Sequence, residues 1–193
     1  MIEYPKDATP LDYEELKGLK LPHITNRQEL DFWEAQNIAQ AQGWAQNLRQ
    51  KDLLNPKVLC TAHKKMFSDV WTWAGKYRKT EKNIGALPHL IETQVHSLCD
   101  DAKAWVEYNS YDSDEIAARF HHCLVAIHPF PNGNGRHARF MADLILKKLF
   151  NKKPFSWGGR TLVTVSETRR TYIQSLKAAD DHDYSMLLAF VRS

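Results

Sequence analysis

The sequence predicts a mainly α-helical fold with one small β element. Three observations indicate this fold class. Apolar residues recur at helical spacing through most of the chain, capping residues stand before several of these segments, and only residues 71–91 combine extended-favouring side chains with turn formers. The 193 residues suffice for one compact domain with a substantial apolar core, and they contain no internal repeat.

The N-terminal part is predicted to be a turn-rich arm followed by a helix. Four residues that break helices are spread through the start of the chain: Pro5, Pro10, Gly18 and Pro22. The stretch from Thr25 to Glu29 then supplies an N-cap and a capping-box partner. The apolar stripe of the predicted helix consists of Leu30, Trp33, Ile38 and Ala41.

A second helix and the β element follow. Residues 52–70 predict a helix, because Pro56 suits a first helical turn and the apolar residues after it share one face. In residues 71–91, aromatic and β-branched residues are interrupted by Gly75, Gly85 and Pro88. This pattern predicts a small hairpin or flap.

The rest of the chain predicts four more helices. Their apolar stripes are Ile91, Val95, Leu98 and Ala102; Ile116, Phe120, Leu124 and Ile127, after a cap at Ser113; Phe140, Leu144, Ile145 and Leu149, from a start near Arg136; and Thr168, Tyr172 and Leu176.

Composition excludes several function classes. Hydrophobic residues make up 43% and charged residues 25%, as in ordinary globular proteins, and the net charge of +3 is too small to indicate nucleic-acid binding. The cysteines Cys60, Cys99 and Cys123 form no CxxC pair, which favours reduced thiols. The N-terminus lacks the apolar core of a signal peptide, and no run approaches the roughly 20 apolar residues of a membrane span. We therefore expect a cytoplasmic protein with no membrane partner.

One connection has a composition unusual for a simple joint. It reads His-Pro-Phe-Pro-Asn-Gly-Asn-Gly-Arg-His-Ala-Arg from His128 to Arg139. Gly133 and Gly135 allow positive φ and bring amide N–H groups close to a ligand, and a helix N-terminus follows at once. The connection is therefore predicted to bind an anion.

The charged side chains of this connection favour a phosphate ligand. Arg136 and Arg139 lie one helical turn apart and can clamp phosphate oxygens, whereas without an anion two cations would oppose the helix dipole. His128 can accept a proton near neutral pH. A base beside a phosphate cradle favours transfer to a hydroxyl group, and the alternative is a helix–turn–helix joint whose Gly and Pro residues serve only the turn.

With Phe130 as a core anchor, the connection resembles the signature of the Fic (Fido) family. That signature is His, any residue, Phe, any residue, Asp or Glu, then Gly-Asn-Gly-Arg, two residues and Arg. Every position matches except Asn132, which stands where the family has an acidic residue. The resemblance implies a Fic helical bundle with a β-hairpin flap beside the active-site loop.

The resemblance also implies an activity: transfer of a nucleotide monophosphate, AMP by default, from ATP to a hydroxyl side chain of a target protein, self-modification included. By position, His128 deprotonates the hydroxyl and Arg139 reaches the terminal phosphate. The residues implied to hold the triphosphate are Gly133, Asn134, Gly135 and Arg136. Gly135 stands where the Doc branch has lysine, which favours nucleotidyl transfer over phosphorylation.

The metal ligand of the family falls on Asn132. The resemblance implies Mg²⁺ as the cofactor, but a neutral amide oxygen lacks the charge that this hard cation prefers. We therefore expect weaker Mg²⁺ binding or a changed divalent preference, for example for Mn²⁺.

Two other segments resemble Fic proteins. Residues 73–78, followed by Ile84 and Gly85, look like the segment leading into the flap, where the target docks by strand pairing. This implies docking at Lys79, Thr80, Ile84 and Gly85. The catalytic domain is then predicted over residues 52–193, and residues 1–51 look like the arm and helix of the small stand-alone bacterial group called mobile mystery protein B.

A built-in restraint is a further hypothesis from the resemblance. Many Fic proteins carry an inhibitory helix with Ser or Thr, three residues, and Glu followed by Gly or Asn, and this Glu pairs with the second arginine of the signature. Thr25 to Glu29 fits the first part, with Leu30 in the last position. Glu29 either restrains Arg139 or only completes a helix cap.

Two other constellations carry less weight. His121, His122, Cys123, His128 and His137 include zinc-ligand types, but adjacent helical positions point in different directions. The six tryptophans fall mostly on apolar faces and, with Arg169 and Arg170, form no basic-aromatic stripe for nucleic acid. The alternatives that stay open are an idle Fic scaffold that binds nucleotide or a partner protein, transfer of another nucleotide, and Doc-like phosphorylation.

Overall fold

The computed structural model describes residues 12–159 and 165–193, and the arm residues Pro5 and Pro10 lie outside this part. The described chain is a bundle of helices, as the sequence predicts. In chain order the helices are α1 (Tyr13–Leu16), α2 (Arg27–Gln46), α3 (Pro56–Phe67), α4 (Ile91–Glu107), α5 (Ser113–Ile127), α6 (Asn134–Leu149), α7 (Val165–Asp180) and α8 (Ser185–Arg192). Short 3₁₀ turns precede α3 and α4, at Gln50–Asp52 and Pro88–Leu90.

Helix α2 begins at Arg27, within the stretch from Thr25 to Glu29 that was predicted to cap it. Asn26 is the N-cap, and its side-chain oxygen accepts a hydrogen bond from the Glu29 amide at 3.0 Å. The Glu29 carboxylate reaches back past the cap to the Thr25 amide, at 2.9 Å. Both contacts satisfy amide groups that have no partner inside the helix.

The central core lies between α5 and α6, which pack along each other and are flanked by α3, α4 and α8. All the stripe residues predicted for α4 and α5 are buried in it, and the α6 stripe adds Leu144 and Ile145. Phe120, Leu124 and Ile145 are completely buried. Each fully buried large side chain of this kind stabilises the fold by about 1.5–3 kcal/mol.

A smaller core joins the N-terminal segment to α3. Leu30 of α2 packs in one cluster with Phe67 and Trp71. The arm residue Leu19 forms an isolated antiparallel bridge with Trp71, and the Lys20 amide donates to the Val70 carbonyl at 2.8 Å. The N-terminal segment is thus part of the packed body.

The predicted hairpin at residues 71–91 is an irregular loop in the structure, with no paired strands among its described residues. The reason lies in Arg78, whose guanidinium donates to the carbonyls of Thr80 and Ala86. The Arg78 and Ala86 amides bond instead to Pro129 and Ile127. These backbone groups are therefore unavailable for a hairpin ladder. We call residues 78–86 the docking loop.

Three features were not predicted. The four-residue α1 breaks the turn-rich arm, and α8 follows the last predicted helix. Trp33, placed on the apolar stripe of α2, is 41% exposed, whereas the polar residues Glu34 and Asn37 of the same helix are buried. No helix in the described ranges has the length and apolarity needed to cross a membrane.

Two methionines allow a matched test of this core. Met141 is fully buried between α5 and α6, and Met186 on α8 is 44% exposed. We expect Met141→Ala to lower the free energy of unfolding by about 2–4 kcal/mol, because it removes buried surface and leaves a cavity.

Met186→Ala should change it by less than about 1 kcal/mol. Urea unfolding followed by circular dichroism measures both variants. Equal losses in the two would contradict the assignment of Met141 to the core.

Candidate active site

The connection between α5 and α6 begins with a left-handed turn at His128. Its backbone has φ 52° and ψ 57°, and its amide bonds to the Leu124 carbonyl at 3.3 Å, which ends α5. A residue with a side chain rarely adopts this conformation. It is held because the His128 carbonyl accepts a hydrogen bond from Arg78 Nε at 2.7 Å.

Asn134 fixes the path of the loop from its other end. Its side-chain oxygen accepts from the Phe130 amide at 2.9 Å, and its side-chain nitrogen donates to the Phe130 carbonyl at 2.8 Å. Asn134 and Phe130 are both buried. This two-way bond closes the loop over residues 130–134 and pairs all four groups in it, two of the side chain and two of the backbone.

The two glycines of the loop have different conformations. Gly133 has φ +77°, and a Cβ atom there would lie 2.6 Å from Cζ of Phe67, so no other residue fits without rearrangement. Gly135, for which a positive φ was also expected, lies instead in the first turn of α6. The first amides of α6 have no acceptor inside the helix and point toward the loop, as the anion-binding hypothesis requires.

The His128 side chain is buried and electrically neutral. Burial, together with the positive charges of Arg78 and Lys82, lowers its pKa to about 4. Neither ring nitrogen has a hydrogen-bond partner within the described part of the chain. The imidazole is therefore unprotonated at neutral pH and free to accept a proton.

Arg136 contacts a residue that sequence analysis did not place in the site. Its Nη1 donates to Oε2 of Glu34 at 2.6 Å, and the guanidinium lies 5.0 Å from the centre of the Phe67 ring. Glu34 is 2% exposed, and its other oxygen accepts from Trp71 Nε1 at 2.7 Å. A glutamate on the buried face of α2 was the available signal, because such a residue is rarely buried without a partner.

Arg139, one helical turn after Arg136 on α6, contacts α7 instead of α2. Its guanidinium is 5.1 Å from the centre of the Tyr172 ring, and the Tyr172 hydroxyl is 3.0 Å from Nε2 of His121. Burial raises the pKa of Tyr172 and lowers that of His121 to about 3. A Cβ on Gly135 would come within 3.8 Å of Arg139 and 3.9 Å of Tyr172, so these groups border the first turn of α6.

Asn132 is held by the loop itself. Its side-chain oxygen accepts from the Gly133 amide at 2.6 Å, and its carbonyl lies 3.0 Å from Nε2 of the buried His63. An amide oxygen has two lone pairs and is a type of ligand that Mg²⁺ accepts. Among the residues that the structure describes, no group of three or more His, Cys, Asp or Glu side chains could hold a metal ion. The protein could thus supply one neutral oxygen to Mg²⁺, which often keeps several waters and is completed by substrate phosphates.

The docking loop packs directly on His128. A Cβ on Gly85, which has φ +94°, would lie 2.5 Å from Cβ of His128. Lys79 and Ile84 are exposed, whereas Thr80 is partly buried. Leu87 and Leu90, which follow the docking loop in the chain, are also exposed.

Glu29 is not brought to Arg139. Its carboxylate is exposed and bonds to the amide of Thr25 and, at 3.4 Å, to the hydroxyl of Thr25. The Thr25 amide is the main reason that the pKa of Glu29 is lowered. The structure therefore shows the helix cap, while the restraint of Arg139 by Glu29 stays a prediction.

The remaining histidines and the cysteines have structural surroundings. His122 bonds to Asp180 at 2.8 Å and to Tyr184 at 3.1 Å, and His137 bonds to the Leu59 carbonyl at 3.0 Å. The cysteines Cys60, Cys99 and Cys123 are free thiols, as predicted, and burial raises the pKa of each.

Comparisons with known proteins find relatives in one family. The model of the Fic/DOC family matches residues 53–146. A Fido domain-containing protein of Dictyostelium discoideum is 33% identical over 110 residues, which cover 55% of this chain and 71% of that protein. The protein adenylyltransferase fic-1 of Caenorhabditis elegans is 31% identical over 121 residues, 61% of this chain and 22% of that protein. The chain thus spans about a quarter of the adenylyltransferases that it matches.

Solved structures share the fold. The N-terminal Fic domain of Bep8 from Bartonella sp. 1-1C has a TM-score of 0.69 at 13% identity, over 91% of this chain and 94% of that one. BepC from Bartonella tribocorum, solved with bound AMPPNP, has a TM-score of 0.68 at 15% identity, over 94% and 97%.

The buried histidines predict how stability depends on pH. The folded-state pKa values are about 3 for His121 and His137 and about 4 for His128, all below the ordinary value of 6.5. The unfolded chain takes up protons as the pH falls through 6.5, and the folded chain does not, so this stability is present above pH 6.5 and is lost toward pH 4. Asp143, whose pKa is raised to about 6 by burial, acts in the opposite direction, but as a single group.

We therefore expect the free energy of unfolding to be lower at pH 5.5 than at pH 7.5, by on the order of 2 kcal/mol. Urea unfolding at the two pH values measures it. The control variant His89→Gln, at an exposed position, should leave the difference unchanged. Equal stability at both pH values would show that the buried histidines titrate normally.

Proposed function

The chain belongs to the Fic/DOC family, and from this premise we propose that it transfers AMP from ATP to a hydroxyl side chain of a target protein. One observation carries the proposal: an unprotonated, unpartnered His128 stands at one end of a loop whose other end presents the free amides of a helix N-terminus. The named activity of the adenylyltransferase relatives supports the same reaction class. The likeness to the small bacterial group and the cytoplasmic location stay predictions.

In the proposed reaction, His128 is the general base. The target oxygen attacks the α-phosphorus in line, its proton passes to a ring nitrogen of His128, and the bond to the leaving pyrophosphate breaks. The triphosphate brings negative charge beside His128 and counters Arg78 and Lys82, which raises the pKa of the imidazole toward the working pH.

The first turn of α6 would hold the triphosphate. The amides at Asn134 and Gly135 and the helix dipole favour an anion, and Gly133 leaves room for it to approach the backbone. Arg136 would bind phosphate oxygens after leaving Glu34, while Arg139, beside Tyr172, would face the terminal phosphate. These fixed donors supply the electrostatic stabilisation on which phosphoryl chemistry mainly depends.

A divalent cation, Mg²⁺ or Mn²⁺, would supply positive charge that stabilises the leaving pyrophosphate. Asn132 would offer its side-chain oxygen as the protein ligand. The docking loop would present Lys79, Thr80, Ile84 and Gly85 to the target chain next to His128. Its backbone already bonds to the residues around His128, which supports a role in placing the hydroxyl.

A second candidate is an idle scaffold that binds nucleotide or a partner without turnover. Two observations favour it. The metal position holds the neutral amide of Asn132, and Arg136, in the first turn of α6, is paired with the buried carboxylate of Glu34. Transfer of another nucleotide and Doc-like phosphorylation also stay open. Turnover separates these possibilities.

The proposed reaction can be tested by autolabelling of the purified chain with α-labelled and, separately, γ-labelled ATP in Mg²⁺ or Mn²⁺. We expect label from the α position only, and a loss of at least about a hundredfold in His128→Ala, because general-base catalysis contributes that much. Label from the γ position would indicate phosphorylation. ATP binding without label would favour the idle scaffold.

The two glutamates of α2 allow a matched test of restraint. Glu34→Gln keeps an acceptor for Trp71 but removes the charge that pairs with Arg136. We therefore expect ATP to bind about fivefold or more tightly, since a charged hydrogen bond no longer competes for the guanidinium.

Glu29→Gln tests the alternative, in which Glu29 restrains Arg139. Isothermal titration calorimetry with a non-hydrolysable ATP analogue measures both. Tighter binding in Glu29→Gln alone would support the Glu29 hypothesis, and weaker binding in Glu34→Gln would show that Glu34 orients Arg136 rather than competing for it.

A further inference from the structure

Among the arm residues from Asp12 onward, which the structure describes, Glu15 is the one buried acidic residue that the proposed reaction does not use. It lies in α1, where it is 8% exposed, although glutamate is almost never this buried unless it is paired. Its neighbour Glu14 is exposed and pairs only with Lys17, three residues on. The burial of Glu15 therefore follows from its specific partners.

Two of those partners belong to the docking loop, and a third is the Asp12 amide in the cap of α1, which donates to Oε2 at 2.9 Å. One carboxylate oxygen of Glu15 accepts from the Thr80 hydroxyl at 2.9 Å, and the other accepts from the Lys82 ammonium. The Lys82 side chain is only 6% exposed. A buried ammonium and a buried carboxylate in direct contact are each costly without the other.

The arm that carries Glu15 is itself anchored. The Glu15 carbonyl accepts from Trp73 Nε1 at 3.0 Å, and a Cβ on Gly18 would lie 2.5 Å from Cδ1 of Trp73. The Gly18 carbonyl accepts from the Thr72 amide at 2.9 Å. Because the arm is fixed in this way, the bonds of Glu15 hold the docking loop against a fixed segment.

The far side of the loop leads to the proposed base. Arg78 bonds to the carbonyls of Thr80, Ala86 and His128, and Gly85 lies against Cβ of His128. Thr80 is therefore held twice, through its hydroxyl by Glu15 and through its carbonyl by Arg78. The docking loop is fixed between the arm and His128.

We infer that Glu15 is a positioning residue, which holds the docking loop in place over His128 from outside the predicted catalytic domain. The inference rests on the proposed function in so far as the loop docks a target. Without Glu15, Lys82 loses its short contact with a carboxylate, although Asp12 stays 3.9 Å away, and Arg78 loses a nearby negative charge. The attachment of the loop to the residues around His128 would remain. The segment that contains α1 is then part of the working site.

Hydrogen–deuterium exchange on the full chain tests this inference without requiring turnover. We expect Glu15→Gln to speed exchange of the docking-loop amides by about tenfold or more, because it breaks the charged bond to Lys82. Thr80→Val removes only the hydroxyl bond and should speed it by about fivefold. Glu14→Gln is the matched control and should leave the loop unchanged.

Faster exchange confined to residues 12–20 in Glu15→Gln would overturn the inference, because Glu15 would then only fasten the arm. Equal loop exchange in Glu15→Gln and Glu14→Gln would overturn it as well. If Glu15→Gln loosens the whole chain, Thr80→Val decides, since it leaves no buried charge unpaired.

Turnover gives a second readout that a merely structural role would not produce. We expect Glu15→Gln to lower the autolabelling rate at saturating ATP by about tenfold. The affinity for an ATP analogue should be unchanged, because the loop proposed to hold the triphosphate is fixed by Asn134 and not by Glu15. A parallel loss of nucleotide affinity would contradict the inference. If the wild-type chain does not label at all, the proposed function fails, and the exchange experiment still decides the role of Glu15.

Discussion

The two hydrogen bonds between the Asn134 side chain and the Phe130 backbone are the constraint on which the rest of the site depends. They fix the loop between a left-handed residue, His128, and the start of α6. The ring of Phe130 is buried against His63, whose ring centre lies 3.8 Å away. The middle of the loop is thereby attached to the core, so the two ends of the loop do not have to be rigid by themselves.

Charge balance is the second constraint. The described site buries or half-buries four cations around the loop, and two of them pair with carboxylates on segments that precede the family match. Glu34 of α2 pairs with Arg136, and Glu15 of α1 pairs with Lys82. Since an unpaired buried charge is strongly destabilising, the N-terminal segment and the catalytic loop are energetically interdependent. The boundary predicted at residue 52 therefore separates sequence regions more clearly than it separates structural ones.

The sequence predicts the helices well because their apolar stripes are long and regular, as in α4, α5 and α6. It predicts the loop because Gly133 and Asn134 stand in a rare combination. It does not predict the shape of residues 78–86, since a single long side chain, Arg78, takes the carbonyls that strand propensity would assign to a ladder. Tertiary contacts override local preference there.

Glu34, the partner of Arg136, shows a different limit of prediction from sequence. The capping-box pattern predicts that Glu29 takes part in the cap of α2, and its carboxylate does bond to the Thr25 amide there. Glu34 has no local pattern, because its importance arises from Trp71 and Arg136, which are 37 and 102 residues away in sequence. Periodicity identifies the buried face of a helix, but only the fold shows which polar residue on that face has a partner.

The raised pKa values of the three cysteines have a practical consequence. Thiols react with maleimides and oxidants as thiolates, and burial keeps Cys60, Cys99 and Cys123 protonated at neutral pH. A new cysteine at an exposed position, such as Lys79 on the docking loop, would therefore be labelled in preference to the native ones. A fluorophore attached there would report the arrival of a protein substrate directly, in a chain that keeps its natural cysteines.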